Sequence, residues 1–97
     1  MNRENEFLYR LIAIIKDRKS SPTDESYVSS LLDKGIEKIS QKLGEESSEL
    51  IIDAVQENRD GTVHEAADLL FHLLVLLEKS GIEFSEIIDE LEKRNSN

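Results

Sequence analysis

The chain has 97 residues, with 21 acidic against 12 basic side chains, a net charge of −9 at pH 7 and no cysteine. That balance repels nucleic acid and anionic membranes, and the missing thiols exclude a disulfide framework and a thiolate site. The length supports one domain over residues 1–97, small enough that a partner subunit would help to bury apolar surface. The first ten residues mix charges before a short apolar patch and lack a small-residue cleavage pattern, so no secretory signal is expected. The longest apolar run, Leu69 to Leu77, is broken by His72 and is too short to span a bilayer. A soluble, cytoplasmic protein is the expectation.

Phe7, Leu8, Leu11, Ile12, Ile14 and Ile15 recur at helical spacing and predict an amphipathic helix over residues 3–18. Asp17 to Thr23 reads as a linker, because Pro22 cannot continue a helix. Ser26 is placed to cap a short helix carrying Tyr27, Val28, Leu31 and Leu32, which Gly35 ends. Nothing alternates with a period of two for long, so strands are not expected.

A long helix is predicted from Ile36 to about Gln56, with Ile36, Ile39, Leu43, Leu50, Ile51 and Ala54 on its apolar stripe. Lys38, Lys42 and Glu46 fall four apart on another stripe, a line of positive charge leading to acids. Lys42 and Glu46 also fit an ordinary i,i+4 pair, worth about 0.3–0.5 kcal/mol. Gly44 costs about 1 kcal/mol against alanine inside a helix, which predicts a close neighbour or ligand at that level.

The reversal that follows has two candidate centres. Asp60-Gly61, then Thr62 with Glu65 three residues on, looks locally like a turn and a capping box. Asn58 as the cap instead centres the reversal near position 57. Glu46 and Glu49 precede that point, Glu65 and Asp68 follow it, and both pairings, 46 with 68 and 49 with 65, are symmetric about it. The Asn58 reading therefore levels four carboxylates between two antiparallel helices, whereas the Asp60-Gly61 reading offsets them by roughly 9 Å at about 1.5 Å per residue. Asn58 is preferred.

The next helix is apolar on nearly every side from Val63 to Leu77 and has to be covered all round. One protomer has few helices for that, which predicts a twofold homodimer. Gly81 closes this helix, Ser85 is the expected cap of the last one, and Phe84, Ile87, Ile88 and Leu91 pack it back before a polar tail. The fold expected is all-α: a bundle of about five helices per protomer, completed by dimerisation.

Glu46 with Glu49, and Glu65 with Asp68, stand three apart and so share a helix face within each pair. Two like charges about 5 Å apart repel by roughly 3 kcal/mol at an effective dielectric of about 20. Either some acids stay protonated or a cation sits among them. Oxygen ligands favour Mg²⁺ or Mn²⁺ over zinc, and Mg²⁺ so held takes substrate phosphates as further ligands. The competing reading is a solvated acidic face on a non-catalytic helical dimerisation module.

His64, Asp68 and His72 recur every four residues, a spacing seen in zinc sites, and HEAAD resembles half of the HExxH pattern. Asp68 stands where the second histidine would be, and zinc lacks a further ligand. His72 is expected in the core, hydrogen-bonded to Asp68, and His64 at the surface. Neither a glycine-rich phosphate loop nor a G-x-S-x-G turn is present, so metal and water would do the chemistry without a covalent intermediate.

Three blocks carry a resemblance over about residues 5–94: Ser26-Tyr27 with Leu31; K-G-I-x-K-I-x-x-K-L-G-E-E-x-x-E over 34–49; and E-A-A-D-L-L-F-H-L-L-V-L-L over 65–77. Together they resemble the phosphoribosyl-ATP pyrophosphatase family. The acid pattern alone is similar to that of the wider all-α nucleotide pyrophosphatases, including MazG-type house-cleaning enzymes that act on free (d)NTPs. The resemblance implies Mg²⁺-dependent hydrolysis of phosphoribosyl-ATP to phosphoribosyl-AMP and pyrophosphate, the second step of histidine biosynthesis. It implies Glu46, Glu49, Glu65 and Asp68 as metal ligands, Glu45 as a neighbouring acid acting on water, and Lys34, Lys38 and Lys42 as phosphate contacts. Val28 replaces the threonine that often follows the Ser-Tyr pair, which removes any hydroxyl role there. Many relatives are fused to a cyclohydrolase for the next step; here a separate protein is expected to supply it.

Overall fold

Helix limits in this chain follow its capping residues. The computed structural model describes residues 2–20 and 26–95, and among these the order is α1 (Arg3–Ser20), α2 (Tyr27–Lys34), α3 (Ile36–Val55), α4 (Arg59–Lys79) and α5 (Phe84–Arg94), with no strand. Ser26 caps α2, its hydroxyl accepting from Ser29 N at 3.2 Å. Gly35, at φ 93°, ends α2 and admits α3, a conformation that disfavours any side chain. Asn58 caps α4 as expected: its side chain accepts from Gly61 N at 3.1 Å, and Thr62 Oγ1 donates to its carbonyl at 2.7 Å. Asp60 and Gly61 thus lie inside the first turn of α4. A Cβ on Gly61 would come within 2.6 Å of Asn58 Nδ2 and 2.8 Å of the Asp53 carboxyl, so this turn is built around a missing side chain.

Three expectations are corrected. The linker expected from Asp17 begins later, because α1 runs through Ser20; basic side chains suit its C-terminus, and Lys19 Nζ donates to the Glu78 carbonyl at 2.9 Å. Pro22 and Thr23 lie outside the described residues. The last helix is capped at Glu83 rather than Ser85, with Glu86 reaching back to accept from Glu83 N at 2.8 Å. Gly44 has nothing within 4 Å of where a Cβ would stand, so no neighbour in this chain explains it.

α1, α2, α3 and α4 meet in one core of Ile15, Val28, Leu31, Leu32, Ile39, Leu74 and Val75. Ile39 and Val75, both fully buried, are themselves symmetric about position 57, so the core and the acids share one helix register. Lys16 bridges α1 to the end of α4 and the cap of α5, at 3.2 Å from Glu78 and 2.9 Å from Glu83. Those two hydrogen bonds, Glu83 foremost, hold its ammonium above the ordinary lysine range. The far end of the α3–α4 hairpin is bare: Ile51, Ile52, Val55 and Val63 are exposed. No helix among the described residues is long and apolar enough to cross a membrane.

Candidate active site

The antiparallel α3–α4 hairpin decides which acids meet. Glu49 and Glu65 face each other across it, near enough for Glu49 to raise the Glu65 pKa, the pairing that symmetry about position 57 requires. The hydrogen bond to Glu49, then burial, then the Glu49 charge raise the Glu65 pKa above its ordinary value; His64 opposes this and Asp68 adds to it. One turn further along α4, Asp68 Oδ2 is 3.4 Å from His64 Nε2, which is 3.8 Å from Glu65 Oε1. His64, Glu65 and Asp68 can bring one ligand atom each within 4.8 Å of one another. His64 is at the surface, as expected, yet on the open rim of the acids.

Glu46 meets α4 through His72. Its Oε1 is 2.6 Å from His72 Nδ1, and both side chains are nearly sequestered. The expected partnership of His72 with Asp68 exists, but to the backbone: Nδ1 faces the Asp68 carbonyl at 3.0 Å, while the Asp68 carboxylate turns to His64. Physically, the imidazole points back along its own helix to the carbonyl one turn earlier. Tyr27, 45 residues away in sequence, closes the other side, its hydroxyl 2.9 Å from His72 Nε2. No spacing along the chain signals that contact.

Glu65 Oε2 is buried without a hydrogen-bond partner among the described residues, and Glu46 Oε1, also buried, has the His72 imidazole beside it. An unsatisfied buried acceptor costs about 1–3 kcal/mol, more when charged. The residues present fit a hard divalent cation: the acids offer carboxylate oxygens, one buried oxygen of Glu65 has no partner, and neighbouring acids raise the Glu65 pKa, a repulsion that a cation would offset.

The remaining sequence candidates are placed less closely. Glu45 is exposed, its Oε1 accepting from Gln41 Nε2 at 3.0 Å, and nothing joins it to the other acids among the described residues. Lys34 ends α2, exposed; Lys38 and Lys42 lie on α3 on the face of Glu46 and Glu49, since 38 to 49 is about three turns. Among the described residues none of the three lysines is in an ion pair, so the Lys42–Glu46 pair does not form. Glu46 has turned to His72 instead.

Carboxylates facing one another across a helical hairpin, with lysines along the same face of α3, make an acidic site on an all-α fold. A family profile described as phosphoribosyl-ATP pyrophosphohydrolase matches residues 8–95. A phosphoribosyl-ATP pyrophosphatase of Clostridium acetobutylicum is 42% identical over 95% of this chain and 84% of its own length. One from Geobacter metallireducens is 46% identical over 97% and 86%. The histidine biosynthesis bifunctional protein HisIE of Caldanaerobacter subterraneus is 43% identical over 92% of this chain, which spans 43% of that longer protein. This chain belongs to the phosphoribosyl-ATP pyrophosphohydrolase family.

Proposed function

We propose that the protein hydrolyses phosphoribosyl-ATP to phosphoribosyl-AMP and pyrophosphate, the second step of histidine biosynthesis, with Mg²⁺ or Mn²⁺ held by Glu46, Glu49, Glu65 and Asp68. The names of its relatives support the substrate. The observation that favours the chemistry is the buried, unpartnered Glu65 Oε2 on α4, whose carboxyl is set against the charge of Glu49 on α3.

Once bound, the cation supplies neutralising charge to the polyphosphate and activates water. The chain's residues do the rest. Glu49 and Glu65, facing each other across the hairpin, would both turn carboxylate oxygens to the ion, which offsets the neighbouring charge that raises the Glu65 pKa. Lys38 and Lys42, along the same face of α3 and in no ion pair among the described residues, offer ammonium groups to the phosphates of the substrate and of the leaving pyrophosphate, as does Lys34 at the end of α2. Glu45, on the open side beside Glu46, is the neighbouring acid for the attacking water in this reading. The rate should come from positioning and electrostatics, as phosphoryl chemistry allows.

Initial rates on phosphoribosyl-ATP and on a panel of dNTPs, each with and without Mg²⁺, test this. The expected result is turnover of phosphoribosyl-ATP well above any dNTP, lost when the metal is chelated. A preference for a dNTP would overturn the substrate assignment, and undiminished rates in chelator would overturn the metal.

We also infer a homodimer. The bare hairpin end is one support, and a groove of about 640 Å³ between α1 and α4, lined by Phe7, Leu8, Leu11, Leu70 and Phe71, is another. Isolated apolar residues on a surface are ordinary; a continuous face of this kind needs cover. Sedimentation should give twice the 11.1 kDa chain mass, and a monomer at micromolar concentration would refute it.

A further inference from the structure

The imidazole of His72 is held more tightly than packing alone requires. It is 4% exposed, set edge-on to Phe71 at 5.1 Å and to Tyr27 at 5.9 Å, while those two rings stack on each other at 6.1 Å. Its polar neighbours decide where its hydrogen sits. Nδ1 faces two acceptors, the Asp68 carbonyl at 3.0 Å and Glu46 Oε1 at 2.6 Å. Nε2 faces the Tyr27 hydroxyl at 2.9 Å, the one neighbour of the three that can donate. A neutral ring therefore carries its hydrogen on Nδ1 and accepts from tyrosine at Nε2, an assignment made from partners.

That hydrogen has two acceptors, and their needs differ. The Asp68 carbonyl already has the donor of its own helical ladder. Glu46 Oε1 is buried and lies nearer to Nδ1 than the Asp68 carbonyl does, at 2.6 Å against 3.0 Å, so a hydrogen directed at it relieves the larger cost. We propose that Tyr27 and His72 are positioning residues: the tyrosine hydroxyl fixes the Nδ1–H tautomer, and His72 holds Glu46 Oε1 so that the carboxylate stays aimed at the acids of α4. The inference rests on the reading of Glu46 as a cation ligand. It links α2 to the site through α4, a contribution from outside the acid hairpin. Ligand-orienting partners of this kind typically change metal affinity about 10- to 100-fold.

The test is Mn²⁺ affinity, followed by electron paramagnetic resonance of the free ion, in the parent protein and in His72→Phe and His72→Asn. Phenylalanine keeps a ring against Tyr27 and Phe71 but removes the donor, and affinity should fall about tenfold or more. Asparagine restores an N–H near the place of Nδ1 and should recover most of the loss, which a merely structural role would not produce. The ¹⁵N–¹H imidazole spectrum of the parent should show the Nδ1–H tautomer, and Tyr27→Phe should convert it to a mixture. Parental affinity in His72→Phe, within about twofold, or an Nε2–H tautomer in the parent, would overturn this inference alone. A parent that binds no Mn²⁺ would overturn the metal reading and this inference with it.

Discussion

Glu49→Gln should cut kcat/KM for phosphoribosyl-ATP by about a hundredfold or more, the scale seen when a single electrostatic group is removed from a preorganised site. The amide matches the carboxylate in size, and Glu49 is exposed at the edge of α3, so no packing is lost. What disappears is the charge facing Glu65. The folded protein should be no less stable than the parent, since a like-charge contact has been relieved. Activity and stability then move in opposite directions, which separates a site residue from a structural one. Glu90→Gln is the control: this acid pairs with Arg94 on α5, at 2.9 Å, and removes the same charge away from the hairpin. Its rate should stay within about twofold of the parent, because exposed charges farther apart than about 10 Å are largely screened at 0.1 M salt. Unchanged turnover in Glu49→Gln would remove Glu49 from the proposed ligands.

The sequence made the hairpin legible because its determinants are local. Ser26, Gly35 and Asn58 act on backbone groups within a few residues of themselves, and each ends or begins a helix where its chemistry demands. Register follows from the cap: with Asn58 opening α4, Glu49 must come level with Glu65, and its carboxyl raises the Glu65 pKa. The contacts of His72 were legible only in part. Its burial could be read from the apolar run around it, but its two side-chain partners come from α2 and α3, and nothing at a distance of 45 residues announces Tyr27. Proline misled the reading of α1, since the restriction of a proline at 22 falls chiefly on the residue just before it, and α1 continues to Ser20. Ser85 misled in a similar way. A good capping residue lay two positions inside a helix that the Glu83–Glu86 pair had already started.

Glu65→Gln should raise the melting temperature of the cation-free protein and abolish its stabilisation by Mg²⁺. The Glu65 pKa in the folded chain is raised above the ordinary carboxyl value, chiefly by hydrogen bonding to Glu49. A folded pKa above the unfolded one means that the native state binds the proton more tightly. The contribution of this group is therefore most favourable below the unfolded pKa and is lost as pH rises through the folded one. Above that range the cation-free parent holds two acids against each other, and the variant does not. The gain from Glu65→Gln should thus be largest at neutral pH and vanish on acidification below about 4.5, the unperturbed value. Added Mg²⁺ competes with the same proton, so its effect on the parent should follow the same pH course. At neutral pH it approaches about 2.7 kcal/mol when the ion is at a hundred times Kd. A helical dimerisation module with no metal site shares the first half of this outcome, because relief of repulsion alone stabilises the variant. It does not share the second. Thermal melts of parent and variant across pH, with and without Mg²⁺, distinguish the two: a parent whose melting temperature ignores Mg²⁺ at neutral pH has acids that repel but do not bind.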